Sequence, residues 1–228
     1  REVSLANSTR NFGIFIHALF ETALKNPQHI DETHKHLFHR YFGSPEKNWF
    51  IWKKSCLILE WFLGQPQPKT LWTEVWGHYT FSLNNHTLTL FAKADRIDKV
   101  DETATIIDYK TGQIPSHAAI GRGEAPQLPL EGLILTKGIF EKIPKGLVLR
   151  DLVHWKVPIN EESGEIVLVK GELSTLIDET ENGMRALLAY FMKNDTQYFS
   201  YPHGWGRRGD YDHLARVAEW YTERGEGL

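Results

Sequence analysis

An α/β domain is the fold class that these 228 residues predict, and three observations predict it. Two consecutive strand–turn–strand patterns lie in the middle of the chain, helix-spaced apolar stripes bracket them on both sides, and the length suffices for one sizeable core. No repeat, low-complexity run or linker divides the sequence, so residues 1–228 are expected to form one domain.

The first helix is predicted over 11–25, where Phe12, Ile16, Leu19, Phe20 and Leu24 recur at helical spacing and His17 sits beside the stripe. A second, over 31–41, carries His34, His36 and His39; their spacing is not the one-turn pair of a zinc site, which predicts a solvated face. Ser44-Pro45-Glu46 reads as an N-cap followed by a first-turn proline, starting a third helix. Its Trp49, Phe50, Trp52, Leu57, Leu59, Trp61 and Phe62 are apolar nearly all round, which predicts burial.

Residues 64–69 are a loop into the sheet. Val75, Tyr79, Phe81 and Leu83 run to Asn84-Asn85, a pair that tolerates the positive φ of a tight hairpin. Strands follow over 91–97 and 103–109 around a turn at Asp101-Glu102. Residues 113–124 are punctuated by glycine and read as a loop, with Arg122 placed to meet a phosphate. A helix over 126–135, strands over 147–157 and 165–170, and an amphipathic helix from Gly171 to about Lys193 complete the pattern. In the last segment, Tyr198, Phe199, Tyr201 and Trp205 mix with glycines and with Arg207 and Arg208. Such a mix either stacks bases and holds a nucleic-acid backbone or covers a sheet edge.

The two turns make a specific claim about chemistry. A two-residue turn at Asp101-Glu102 sets Asp95 opposite Asp108, and one at Asn84-Asn85 sets Glu74 opposite Asp95. Like charges directly opposed in a sheet destabilise it, so such a row is kept more readily around a cation. Lys110, two residues after Asp108, points to the same face. Carboxylates on a rigid sheet suit Mg²⁺, with Mn²⁺ as its substitute, and a neighbouring ammonium can stabilise charge on phosphorus. The chemistry this predicts is hydrolysis of a phosphodiester.

These residues also resemble a known family. Ala94-Asp95-Arg96-Ile97-Asp98, then Ile107-Asp108-Tyr109-Lys110-Thr111-Gly112, then Pro126-Gln127-Leu128-Pro129-Leu130-Glu131 resemble the PD-(D/E)XK nuclease domain of the RecB type, and within it the C-terminal nuclease domains of the AddB type. Gly13-Ile14-Phe15-Ile16-His17, Glu74-Val75-Trp76-Gly77 and the stretch from Tyr211 to Trp220 extend the likeness over most of the chain. The resemblance implies a restriction-endonuclease-like fold, a mixed central sheet flanked by helices. It implies that Asp95 and Asp108 bind metal, that Lys110 is catalytic, and that Gln127 lies near the DNA strand or the attacking water. It further implies His17 and the backbone carbonyl of Tyr109 as metal ligands and Glu74 as an acidic helper. Asp98 faces away from the row and is not the first acid.

The likeness carries expectations of setting as well. These are Mg²⁺-dependent cleavage of a DNA single strand delivered from a duplex end, a helicase–nuclease partner subunit of the AddA type, and a role in double-strand break resection. Two departures stand out. Ala92 replaces a glycine found in many relatives, and some AddB relatives hold an iron–sulfur cluster on four cysteines, whereas this chain has Cys56 alone and is expected to have no such cluster. The eight tryptophans and twelve phenylalanines are expected to replace that staple by packing.

Composition bounds the rest. An apolar content of 41% fits a globular domain, and one cysteine excludes an internal disulfide and fits a reducing bacterial cytoplasm. No apolar run is long enough for a membrane span, and no Walker A pattern is present, so ATP hydrolysis is expected elsewhere. The chain opens at Arg1 inside what reads as a helix, as expected of a domain cut from a longer protein. A net charge of −3 is unusual for a DNA-binding surface. Acids gathered at a metal would account for it in part. Delivery of the strand by a larger complex, with local basic clusters such as Lys53-Lys54 contributing, is the expected reason, and weak DNA binding by this chain alone follows from it.

Overall fold

A computed structural model describes residues 2–158 and 164–196, with side chains from Arg10 onward. Two compact units are present, Arg1–Ala186 and Leu187–Leu228. The first holds the sheet. In the second, the described part is the end of the last helix, where the Tyr190 and Phe191 rings meet edge-on at 5.2 Å.

The elements run α1 (Glu2–Lys25), a 3₁₀ turn (Pro27–His29), α2 (Ile30–Phe42), α3 (Trp49–Leu63), β1 (Thr70–Leu83), β2 (His86–Val100) and β3 (Thr103–Lys110). Then come α4 (His117–Gly121), α5 (Gln127–Lys137), β4 (Ile139–Phe140), β5 (Val148–Lys156), β6 (Glu165–Leu168) and α6 (Leu173–Phe191). Six strands form one sheet in the order β4-β1-β2-β3-β5-β6. All neighbours are antiparallel except β3 and β5, whose parallel pairing needs a crossover, and α5 lies within it. The sheet is mixed and flanked by helices, the arrangement of a restriction-endonuclease-like fold.

Both turns set the register that their residues predict. Asn84 and Asn85 take φ of 47° and 63°, and Leu83 pairs with His86, Thr80 with Thr89 and Val75 with Ala94. Across the second turn Val100 pairs with Thr103 and Arg96 with Ile107. Glu74, Asp95 and Asp108 therefore occupy successive positions across three strands.

Each face of the sheet has its own core. On one, Phe15, Ile16, Leu19 and Phe20 of α1 and Ile58 and Phe62 of α3 cover Ile107, Tyr109, Val153 and Trp155. Phe20 stacks on Phe62 at 3.9 Å and meets Tyr109 edge-on at 4.9 Å, so aromatic packing fastens the first helix to the central strand. On the other, Leu128 and Ile134 of α5 cover Ala94, Ile97, Ala104, Ile106 and Leu152. Gly77 lets β4 close on β1, since a Cβ there would lie 2.5 Å from a Phe140 ring carbon. Arg96 is fully buried and forks onto Asp98 through Nε and Nη2, at 2.5 and 2.8 Å, beneath the Trp155 ring, while its Nη1 has no hydrogen-bond partner among the described residues. That contact turns Asp98 away from Asp95.

Four expectations are corrected. His34 is buried, stacked on Trp52 at 4.3 Å with Nε2 2.8 Å from the Ser55 hydroxyl, because α3 packs over that side of α2. Helix α3 starts at Trp49: Ser44 to Lys47 close a turn through the Ser44 carbonyl, and Asn48 spends its side chain on the Phe42 carbonyl. Its apolar surface is only half used, with Trp49 and Phe50 exposed at 59% and 71%. The loop after β3 contains α4, capped by the Ser116 hydroxyl on the Ala119 amide.

Candidate metal centre and active site

Three elements deliver the first cluster. Gly13 brings α1 against the end of β3, where a Cβ would lie 3.3 Å from the Thr111 hydroxyl, and one turn later His17 reaches the strand ends. Glu74 has a φ of 54°, a left-handed residue inside a strand; regular pairing resumes on either side at Thr73–Arg96 and Val75–Ala94. Asp95 accepts a 2.9 Å bond from the Tyr109 amide, which holds its carboxylate across the β2–β3 gap. Donor atoms of His17, Glu74 and Asp95 all lie within 4.8 Å of one another, as a cation site requires. The Tyr109 carbonyl adjoins them, 3.2 Å from His17 Nε2.

His17 is held at both ring nitrogens, Nδ1 at 3.2 Å from Asp95 and Nε2 facing the Tyr109 carbonyl. Burial opposes its protonation, but the Asp95 carboxylate, backed by Glu74 and Asp108, raises its pKa overall. Without a cation, a doubly donating imidazolium is the form that this geometry suits; to hold a cation the ring would have to be neutral. The donor set, two carboxylates, a carbonyl and one imidazole, fits Mg²⁺ or Mn²⁺.

Asp108 forms the second cluster. It is 2% exposed, and its carboxylate lies 3.0 and 2.9 Å from Lys110 Nζ and 2.9 Å from His154 Nδ1 on the neighbouring parallel strand. Lys110 also donates to Gln127 Oε1 at 2.9 Å, and the Gln127 amide lies 3.3 Å from Glu131 Oε1. Glu131 is buried, and its other oxygen has no hydrogen-bond partner among the described residues. Burial, then Asp108 and Asp95, push its pKa well above the usual carboxylate value. This carboxyl therefore keeps its proton to higher pH than an ordinary carboxylate, behind the charged groups.

The predicted site residues thus meet in two adjoining groups: His17, Glu74, Asp95 and Tyr109 in one, and Asp108, Lys110 and Gln127 in the other. Arg122 is forked onto Glu124, with one contact at 2.9 Å, and so is not a free phosphate ligand in this arrangement. Arg207, Arg208 and the closing segment from Tyr211 to Trp220 lie outside the described residues. Sequence reasoning missed His154, Glu131 and Lys93, whose ammonium lies 2.5 Å from Glu74. Two of them carried a signal, a lone polar side chain in the apolar strand Leu152-Val153-His154-Trp155 and a lone acid among the leucines of α5.

Among curated proteins, the chain is 30% identical over 170 residues to the uncharacterized protein RC0550 of Rickettsia conorii, covering 65% of this chain and 20% of that protein. It is 26% identical over 156 residues to an uncharacterized protein of Rickettsia bellii, covering 63% and 18%. The chain spans about a fifth of the length of these relatives. Among solved structures, SSO0001 matches over 80% of this chain and 77% of that one, with a TM-score of 0.32 and 11% identity. A family model described as the PD-(D/E)XK nuclease superfamily matches residues 1–203, the span that carries both clusters. This chain belongs to the PD-(D/E)XK nuclease superfamily.

Proposed function

We propose that this chain is a divalent-cation-dependent deoxyribonuclease that hydrolyses phosphodiesters with Mg²⁺, or Mn²⁺ in its place. The observation that carries the reading is the convergence of His17, Glu74 and Asp95 beside Asp108 and Lys110. Glu74, Asp95 and the Tyr109 carbonyl, with His17, would hold the ion, and Asp108 borders it. When bound, the ion supplies Lewis acidity toward a phosphoryl oxygen and makes a water more acidic.

The chain's own groups do the rest. Lys110, steadied between Asp108 and Gln127, presents an ammonium to the charge that develops on the phosphate. Gln127 sets the reach of that ammonium. Asp95, fixed by the Tyr109 amide, holds one carboxylate face toward the ion's position.

The setting in this proposal is end resection in bacterial double-strand break repair. There the domain cuts a single strand delivered from a duplex end by a helicase–nuclease complex, as the nuclease half of an AddB-type subunit with an AddA-type partner. The sequence motifs support it, as does the greater length of the Rickettsia relatives. Among the described residues no helix is long and apolar enough to cross a membrane. The proposed compartment is the cytoplasm.

Cleavage of a labelled single strand with Mg²⁺ or Mn²⁺ tests the activity, with Lys110→Ala beside the wild type. Loss of on the order of 10²-fold or more in kcat is expected from removing one such stabilising group. Undiminished cleavage by Lys110→Ala would remove the lysine from the mechanism. A wild type that binds DNA but never cuts it would make the chain a nuclease-fold scaffold.

A further inference from the structure

The hairpin β1–β2 has two unlike faces. One is covered by α6: Tyr79 donates to Glu181 at 2.7 Å, and Arg185 lies over the Phe81 ring at 4.5 Å. The other face follows the register outward from the carboxylates. After Glu74 and Asp95 come Trp76 opposite Lys93, then His78 opposite Phe91, then Thr80 opposite Thr89. Trp76 is 52% exposed and Phe91 67%. Trp76 and Phe91 stand in adjacent rows of neighbouring strands, so they form one open apolar patch rather than scattered singles, the kind of patch that marks an interaction site.

We infer that this face is a track for single-stranded nucleic acid, with Trp76 and Phe91 stacking the bases of successive nucleotides next to the scissile phosphate. The inference rests on the nuclease reading above and adds how the strand is held. Rows two residues apart repeat at about 6.7 Å along a strand, roughly the span of one extended nucleotide. Each of the first two rows pairs an aromatic with a nitrogen side chain, Lys93, which is ion-paired with Glu74, or His78, whereas the core of a protein interface is depleted of charge. Trp76 also forms part of the wall of a cavity of ≈ 350 Å³ beside Glu74, to which Trp72, Lys25 and Lys142 contribute. The track thus starts at the metal centre and has a recess at its first step.

Two measurements on the full chain test it. In EDTA, where no cleavage occurs, fluorescence anisotropy of a labelled oligo-dT is followed for the wild type, Trp76→Ala and Phe91→Ala. Phe50→Ala is the control, an equally exposed aromatic on α3. Each track variant is expected to weaken binding on the order of tenfold, with the control unchanged and melting curves preserved. Oligo-dT carrying 5-iodo-deoxyuridine is then photocross-linked, and the adducts are expected on the peptides holding Trp76 and Phe91. Track variants that bind like the wild type, a wild type that binds no oligo-dT, or adducts confined to other elements each overturn the inference. A partner protein lost on substitution while DNA binding stays intact would assign the face to that partner and also overturn it. With Mg²⁺ added, cleavage that ignores both substitutions sinks the track alone. Track-dependent binding without any cleavage sinks the nuclease reading alone.

Discussion

His154 Nδ1 lies 2.9 Å from Asp108 Oδ2, side chain to side chain across two parallel strands. A carboxylate only 2% exposed is costly to ionise unless several donors share it, and here His154 and Lys110 divide the task. His154 is a positioning residue that acts through Asp108. His154→Leu is expected to weaken Mn²⁺ binding on the order of 10–100-fold, read by calorimetry in the absence of DNA. His154→Asn, whose amide can replace the Nδ1 donor, should recover most of it. Equal loss in both variants would point to packing alone.

Glu131 holds its proton to higher pH in the fold than in the unfolded chain, because burial and the neighbouring Asp108 and Asp95 raise its pKa. As pH rises above the unfolded value, the unfolded chain ionises this group while the folded chain keeps its proton, so stability falls. Glu131→Gln removes that slope. Without metal, the variant is expected to gain stability over the wild type as pH rises above the ordinary carboxylate value, followed by urea unfolding, and a parallel pair of curves would refute the assignment.

His34 responds to acid. Burial lowers its pKa from 6.5 to about 4, with Asp31 opposing weakly. Below pH 6.5 the unfolded chain gains a proton that the folded chain refuses, so this histidine's penalty grows as pH falls and levels off near 4. His34→Phe is expected to flatten the melting temperature over that window. It should cost about 1 kcal/mol at neutral pH for the lost Ser55 contact, since Ser55 keeps its 2.8 Å bond to the Trp52 carbonyl.

Gly77 has no room for a side chain. An added Cβ would lie 2.5 Å from Phe140 Cδ1 and 2.8 Å from Ile134 Cγ2. Gly77→Ala is expected to lose about 1–3 kcal/mol in urea denaturation, because β4 and α5 must both retreat. An unchanged midpoint would mean that the edge strand is free to move.

Much of the site was legible because hairpin register is a local property. Asn84-Asn85 and Asp101-Glu102 are short turns, and their lengths set the register that brings Glu74, Asp95 and Asp108 to neighbouring positions, although regular pairing skips Glu74 and stops at Arg96–Ile107. His17, Tyr109 and Gln127 came from motif likeness, and they lie beside those acids. What escaped was decided by distant partners. Residue spacing does not reveal that α3 covers His34 yet leaves Phe50 open, or that Ser44 closes a turn instead of capping a helix. The two-residue β4 is too short to carry a pattern and exists because Gly77 admits Phe140.

By itself the sequence determined the two hairpin pairs, most of the helices that flank them and the order of the acids, since each follows from periodicity and turn length within a few residues. Only the tertiary structure decided how those acids divide their labour. The left-handed backbone at Glu74 and the approach of α1 place His17, Glu74 and Asp95 together, while β5 brings His154 to claim Asp108. A charge buried in a sheet takes its orientation from whichever donors the fold sets beside it, and those donors lie far away in sequence.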